Sequence, residues 1–156
     1  VDDAMLKALA QNGGVIMINF GSYFVTESAR QHSDKKRVAE EGFKKLHGDN
    51  PSAEASKQFE REYLLRHPYP YAKISDVADH IDHAVKLVGI DYVGLGSDYD
   101  GVGDSLPVGL KDVSQYPNLF AELLRRGYSE SDIAKIMSGN ALRVMEAVEK
   151  YAAMPK

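Results

Sequence analysis

Two short apolar runs stand out in the hydrophobic pattern of the chain. Residues 15–20 read Val-Ile-Met-Ile-Asn-Phe, and residues 92–96 read Tyr-Val-Gly-Leu-Gly. Nearly continuous apolar runs of this length are typical of strands that are covered on both faces in a parallel sheet. Each run follows a stretch whose apolar residues recur at helical spacing. The pattern therefore predicts helix-then-strand units of a parallel α/β protein.

Helical spacing of apolar residues predicts four helices around these strands. They cover approximately residues 2–12, 75–88, 117–126 and 141–151. Ser129 and Asp132 have the spacing of a capping box, which begins another helix. The pair Gly139–Asn140 is expected to interrupt the chain before the final helix.

A long polar segment, residues 26–73, separates the first strand from the next helix. Charged residues are frequent in it, and Asp-Asn-Pro at 49–51 divides it into two helical stretches. The tract His-Pro-Tyr-Pro-Tyr at 67–71 is expected to be extended, because each proline disfavours helix in the residue before it. We expect a helical hairpin outside the core, inserted within a single segment that covers residues 1–156.

The length of the chain bears on its architecture. Two strands make only part of a sheet, and a complete (β/α)₈ barrel takes roughly 250 residues, whereas this chain has 156. The sequence begins Val-Asp-Asp, without an initiator methionine and without the charged-then-apolar pattern of a signal peptide. These features predict a segment of a longer protein, or a chain that associates to cover its sheet edges.

Composition narrows the classes of partner and site. The net charge of −4 is spread along the chain, which argues against nucleic acid and anionic membrane surfaces as partners. No apolar run approaches the ~18 residues of a membrane span, and localisation stays open between periplasm, cytoplasm and secretion. Because the chain has no cysteine, thiolate metal sites and cysteine nucleophiles are excluded. Any metal would be bound by His, Asp or Glu.

The second predicted strand ends in two carboxylates, Asp98 and Asp100, followed by a glycine-rich loop. Strand ends of this kind form the active face of parallel barrels. The alternative is that both aspartates cap local turns, as short acidic side chains beside glycine often do. Two known motifs fail at this place. Tyr99 replaces the third glycine of a dinucleotide-binding loop, and Val102 occupies the third ligand position of a calcium loop.

Two histidines on the helix before this strand have the spacing of a metal pair. His80 and His83 are three residues apart and can share one helix face. Asp79 and Asp82 alternate with them on the polar side, so solvated histidines with local ion pairs are the favoured interpretation. The other three histidines lie in the insert and carry no chemical signal.

A long stretch of the chain resembles a known family. Residues 77–101, VADHIDHAVKLVGIDYVGLGSDYDG, are similar to the membrane (renal) dipeptidases, peptidase family M19. The similarity extends to residues 19–20, 110–117, 123–127 and 139–144, so that only the insert stays outside it. The insert departs from the mammalian form and points to a bacterial member.

The resemblance implies an α/β fold, the carboxy-terminal part of a (β/α)₈ TIM barrel of the metal-dependent amidohydrolase type. It also implies a dipeptidase with two zinc ions, whose bridging hydroxide attacks the peptide carbonyl. Asp98 carries over as the catalytic acid/base, which accepts a proton from that hydroxide and passes it to the leaving amine. The family's metal ligands lie on earlier strands. Zinc ligands are therefore expected to be absent from this chain, which should be inactive alone.

Further expectations concern the surroundings of Asp98. Asp100 is expected to hold the loop around it, and Asn19, Phe20 and Tyr23 to form part of the substrate wall. For Tyr23 the alternative is simple packing under the insert. The expected partners are a dipeptide substrate and the remainder of the barrel, with a homo-oligomer as a further one. Two other functions stay open: another metal-dependent amidohydrolase, and a non-catalytic module that self-associates.

Overall fold

The computed structural model describes residues 1–154, a helix-rich α/β arrangement around two parallel strands. The strands are β1 (Ile16–Asn19) and β2 (Val93–Ser97). The helices of these residues are α1 (Asp3–Gln11), α2 (Ser22–Val25), α3 (Glu27–His47), α4 (Ala53–Arg66), α5 (Ile74–Val88), α6 (Tyr116–Arg125), α7 (Glu130–Ala134) and α8 (Asn140–Ala152). Within residues 1–154, no helix is both long and apolar enough to cross a membrane.

The strands β1 and β2 are neighbours and run parallel, as the hydrophobic pattern predicts. Their pairing is regular up to Ile18 and Leu95, but Asn19 then pairs with Ser97. Gly96 is therefore an extra residue on β2. A bulge of this kind bends the strand, and it shifts the residues after β2 against the end of β1.

The two faces of the sheet have different surroundings. Ile16 and Ile18 pack against a core whose fully buried members are Phe20, Val77, Ala78, Val93, Ile81, Leu110, Leu119 and Leu123. Met17 and Asn19 are exposed on the opposite face, Met17 to 40%. The prediction of strands covered on both faces is thus met on one face only within residues 1–154. An apolar run indicates that a strand face is covered, but not which part of a protein covers it.

An ionic cluster joins α5 to α6. The guanidinium of Arg126 donates to Asp79 and Asp82 over 2.7 Å each and to Glu122 over 2.7 Å, and the Tyr128 hydroxyl donates to Asp82 over 2.8 Å. Burial opposes the charge on Arg126, but the three carboxylates outweigh burial and raise its pKa. The two aspartates therefore bind Arg126 rather than the histidines that alternate with them in sequence.

The helical hairpin α3–α4 is anchored at the carboxyl ends of the strands. Ser22, fully buried, accepts a hydrogen bond from the Ala72 N–H over 2.9 Å, and its own N–H donates to the Ser105 carbonyl over 2.8 Å. These bonds join the segment after β1 to the return of the hairpin and to the loop after β2. The base of the hairpin is thus fixed beside that loop.

The last two helices are continuous, joined by a π-helical turn, Lys135–Gly139. The predicted interruption at Gly139–Asn140 is wrong, since Gly139 has helical dihedral angles (φ −55°, ψ −42°). The Asn140 side-chain amide is buried and donates to the carbonyls of Ile90 and Val93 over 2.7 and 2.8 Å. Asn140 therefore binds the backbone of β2 and of the residue Ile90 before it, rather than ending a helix.

Candidate active site at the carboxyl edge of the sheet

The ends of the two strands bring Asn19 and Asp98 together. Asn19 is the last residue of β1, and Asp98 follows β2 directly. The Asn19 side-chain amide donates to Oδ2 of Asp98 over 3.4 Å. Asn19 is exposed and Asp98 is half-buried, so the carboxylate lies beside the amide and is still open to solvent. We call this end of the strands the carboxyl edge.

The backbone around Asp98 has an uncommon conformation. Ser97 and Asp98 have φ angles of 50° and 66°, in the left-handed region that few non-glycine residues adopt. The Asp98 N–H donates to the Gly96 carbonyl over 2.6 Å, and the Gly101 N–H donates to the Asp98 carbonyl over 3.2 Å. A Cβ atom on Gly101 would overlap the Asp98 carboxylate. Backbone strain of this kind is concentrated at functional sites, where the surrounding structure maintains it.

Tyr99 anchors the same turn from the core side. Its hydroxyl donates to the Asp112 carbonyl over 3.0 Å, and its ring packs edge-on against Phe20 at 5.8 Å between centroids. Burial, with Tyr116 and Asp112 nearby, raises the pKa of Tyr99 to about 12. Phe20 is fully buried between Tyr99 and Tyr116. It therefore supports the turn from beneath and has no exposed surface of its own.

The other two predicted site residues lie further from the contact between the strands. Asp100 is exposed in the turn that follows Asp98. Tyr23 is half-buried on α2, and its ring lies 4.3 Å from that of Phe24, centroid to centroid. Tyr23 also lines a cavity beneath the helical hairpin α3–α4. The structure thus places Tyr23 beside this hairpin, and its partner ring, Phe24, is 51% exposed.

His80 and His83 are engaged separately. The His80 Nε2 atom lies 3.0 Å from the Val25 carbonyl, and the His83 Nε2 atom lies 2.8 Å from a carboxylate oxygen of Asp3. Within residues 1–154, no three His, Asp or Glu side chains come together as a metal-ligand set. The residues of this part of the chain therefore do not fit a metal centre.

One polar cluster near the carboxyl edge has no counterpart in the sequence interpretation. Asp104 accepts hydrogen bonds from the Tyr71 hydroxyl over 2.7 Å and from Lys111 Nζ over 3.0 Å. The hydrogen bond from Asp104 raises the pKa of Tyr71 to about 12, and the bonds from Tyr71 and Lys111 lower the pKa of Asp104. The nearby proline-rich tract 67–71 predicts an extended backbone but not this contact.

The whole chain matches a family of known proteins. Residues 1–156 match the model of the membrane dipeptidases (peptidase family M19). Among curated proteins the chain is similar to dipeptidase aclJ of Aspergillus oryzae, with 51% identity over 81 residues. That stretch is 52% of this chain and 19% of the Aspergillus protein.

Two solved structures share the fold. The probable dipeptidase PvdM from Pseudomonas aeruginosa has a TM-score of 0.66 and 29% identity over 92% of this chain and 39% of its own. A metallo peptidase from Rhodobacter sphaeroides, liganded with a phosphinate mimic of the dipeptide L-Ala-D-Ala, has a TM-score of 0.64 and 25% identity. It covers 94% of this chain, which spans 30% of that protein.

These likenesses confirm the predicted fold class, an α/β part of a (β/α)₈ barrel of the metal-dependent amidohydrolase type. The chain spans well under half the length of the structures that it resembles. Since the family match runs along all of its residues, the chain belongs to the membrane dipeptidase family, peptidase family M19.

Proposed function

We propose that this chain is the carboxy-terminal part of a zinc-dependent dipeptidase and supplies its catalytic carboxylate, Asp98. Family membership supports the dipeptidase reaction, and the Rhodobacter relative is liganded with a mimic of a dipeptide. The observation that carries the role of Asp98 is its position. It is half-buried at the end of a parallel strand, in a strained turn, with the Asn19 amide on its carboxylate.

In this proposal Asp98 is the residue that transfers protons. Peptide hydrolysis needs a base that takes a proton from the attacking water and an acid that protonates the leaving amine, and one carboxylate can do both in turn. One oxygen of Asp98 accepts from Asn19, and the other lies against the backbone of Gly101. The carboxylate is therefore fixed in orientation, which favours proton transfer in a defined direction.

The pocket wall is the second contribution of this chain to the enzyme. Asn19 and Tyr23 supply its polar and aromatic surface, Phe20 supports it from the core, and Asp100 holds the loop around Asp98. Residues 26–73 form a helical insert beside this wall. We assign the substrate as a dipeptide, because the chain belongs to the membrane dipeptidase family and a relative is liganded with a mimic of a dipeptide.

The metal belongs to another part of the enzyme. Since no ligand set occurs within residues 1–154, two zinc ions would be bound by the remainder of the barrel. The face of the sheet that carries Met17 and Asn19 is open, and the remainder of the barrel would cover it. We therefore expect this chain alone to be inactive.

Self-association is a second candidate for the same open face. Two copies of the chain could cover Met17 and the exposed edges of the strands in place of the barrel. The two proposals differ in the size of the particle. An ordered oligomer of this chain in light scattering would favour self-association, and a monomer that binds the rest of the barrel would favour the enzyme.

The test compares the complete enzyme, its Asp98→Asn variant and this chain alone for zinc content and dipeptide hydrolysis. Asp98→Asn is expected to keep its zinc and to lose activity by about 10²–10⁴-fold, and this chain alone should bind no zinc and be inert. Asp49→Asn makes the same charge change at an exposed residue between α3 and α4 and should stay active. Full activity in Asp98→Asn, or tight zinc binding by this chain alone, would contradict the proposal.

A further inference from the structure

Two places in the chain carry an asparagine or aspartate directly before a glycine. They are Asn12–Gly13, after α1, and Asp100–Gly101, in the turn after β2. In such a pair the backbone nitrogen of the glycine can attack the side-chain carbonyl carbon and close a five-membered succinimide ring. Glycine favours this step because it has no Cβ atom and its backbone rotates most freely. The sequence alone does not decide which of the two places reacts.

The backbone of Asn12–Gly13 is held at the end of α1. The N–H of Asn12 donates to the Ala8 carbonyl over 3.0 Å. The N–H of Gly13 donates to the Ala10 carbonyl over 3.0 Å, and the Gly13 carbonyl accepts from the Arg143 guanidinium over 2.8 Å. Ring closure has to rotate this backbone and disturb these bonds. The end of α1 therefore protects Asn12 from the reaction.

Asp100–Gly101 lies in an open turn. Both residues are exposed, and neither belongs to a helix or a strand. The N–H of Gly101 donates within the turn to the Asp98 carbonyl over 3.2 Å, which is at the long end of the range for such bonds. An exposed turn of this kind opens more readily than a helix end that is held at several points. The structure therefore favours ring closure at Asp100.

The position of Asp98 depends on the backbone of this turn. Gly101 packs so closely on Asp98 that a Cβ atom added to it would overlap the Asp98 carboxylate. Asp98 itself has an uncommon backbone conformation, with a φ angle of 66°, which its surroundings must maintain. A change in the backbone between Asp98 and Gly101 therefore displaces the carboxylate that we assign to catalysis.

We propose that Asp100 is a modification site at which isoaspartate forms, and that this modification inactivates the enzyme. The Gly101 nitrogen attacks Cγ of Asp100, a C–N bond forms, and one molecule of water leaves. Water then adds to the succinimide ring. Cleavage of the bond between the nitrogen and the former main-chain carbonyl leaves Gly101 attached through Cγ and frees the α-carboxylate. Water leaves in the first step and returns in the second, so the reaction needs no other reactant.

Isoaspartate lengthens the main chain between Asp98 and Gly101 by one methylene group. The turn can then no longer keep both its 3.2 Å hydrogen bond and the contact of Gly101 with the Asp98 carboxylate. A displacement of about 1 Å in a catalytic group costs on the order of 10²-fold in rate, so a modified molecule should be nearly inactive. The loss of activity rests on the proposed function of Asp98, whereas the modification itself does not.

The experiment incubates the complete enzyme for several weeks in mildly acidic buffer and locates isoaspartate in its peptides. A protein isoaspartate methyltransferase labels the modified residue, and mass spectrometry identifies the labelled peptides. We expect more label on the peptide with Asp100 than on the one with Asn12. Asp100→Glu is the matched variant. It keeps the charge but would have to close a slower six-membered ring, so it should lose the label. No label at Asp100, or more label at Asn12, would overturn the site.

The second readout is dipeptide hydrolysis, measured for each protein relative to its own value before incubation. We expect kcat to fall in proportion to the labelled fraction at constant zinc content, and Asp100→Glu to keep its starting activity. Prolonged treatment with the methyltransferase and its methyl donor, which returns isoaspartate to aspartate, should restore kcat. Label without loss of kcat would overturn the inactivation. Label at Asp100 in an enzyme that hydrolyses no dipeptide would contradict the proposed function and support the modification.

Discussion

The side-chain amide of Asn19 donates to the carboxylate of Asp98 over 3.4 Å, across 79 positions of the chain. The contact depends on the bulge at Gly96, which pairs Asn19 with Ser97 and turns the next residue toward β1. A hydrogen bond from an exposed amide is modest in energy. In the proposed enzyme it would orient the carboxylate that we assign to catalysis.

Replacing Asn19 by alanine tests this positioning role. In the complete enzyme we expect kcat to fall about tenfold, by more than KM rises, with unchanged zinc content, because Asp98 would lose its orientation but not its carboxylate. Steady-state kinetics and metal analysis provide the measurement. Asn12→Ala, in an exposed residue after α1, is the control. A rise in KM at constant kcat would show instead that Asn19 contacts the substrate.

Two glycine-to-alanine substitutions should have opposite effects on stability. A Cβ atom on Gly96 would overlap the Asn19 side chain and lie 3.1 Å from the Met17 carbonyl, so Gly96→Ala should destabilise the fold by about 2 kcal/mol. Gly42 lies within α3 with nothing near its Cβ position. Gly42→Ala should stabilise by about 0.5–1 kcal/mol. Urea unfolding measures both, and equal effects would contradict the close packing at the bulge.

Two adjacent arginines should differ strongly in their contribution to stability. The Arg126 side chain is 15% exposed and binds three carboxylates, of which Asp82 and Glu122 are largely buried. Arg126→Met should therefore cost about 3 kcal/mol, because it leaves the largely buried Asp82 carboxylate without a cationic partner. Arg125 also binds Glu122 but is 71% exposed, and Arg125→Met should change stability much less, because solvent screens this ion pair. Comparable losses in urea unfolding would refute the buried cluster between α5 and α6.

The same cluster predicts a loss of stability in acid. The hydrogen bonds from Arg125 and Arg126 lower the pKa of Glu122 from 4.5 to about 2. A carboxyl whose pKa is lower in the folded state stabilises the fold above its unfolded value, and this contribution disappears as the pH falls from 4.5 toward 2. In Glu122→Gln the urea midpoint should therefore depend less on pH in this interval. Glu27→Gln is the comparison, since the pKa of Glu27 is also lowered to about 2 but its side chain is 61% exposed. An unchanged profile in Glu122→Gln would count against the cluster.

Several features of the fold could be predicted from the sequence because their causes are local. Apolar runs located both strands to within a residue or two, and helical spacing located α1, α5 and α6. The failure at Gly139–Asn140 is also informative. Glycine and asparagine favour helix ends locally, but the contacts of Asn140 with Ile90 and Val93 compensate for that preference.

The candidate site likewise has a part that the sequence predicts and a part that it does not. Asp98 could be selected because strand ends carry chemistry in parallel barrels and because the surrounding stretch resembles a family. The sequence does not predict that Asn19 binds this carboxylate, that Phe20 is fully buried or that a cavity lies beside His32. Each depends on residues that are distant in sequence, and a register shift of one residue at Gly96 changes which of them meet.

By itself the sequence determined the elements of this protein, their order and the family to which it belongs, because propensity, periodicity and motif spacing act over a few residues. The tertiary structure decided which polar groups are paired. It placed Asn19 on Asp98 and paired Asp79 and Asp82 with Arg126. Pairing of this kind follows from the packing of whole elements against one another, which no local pattern of residues specifies.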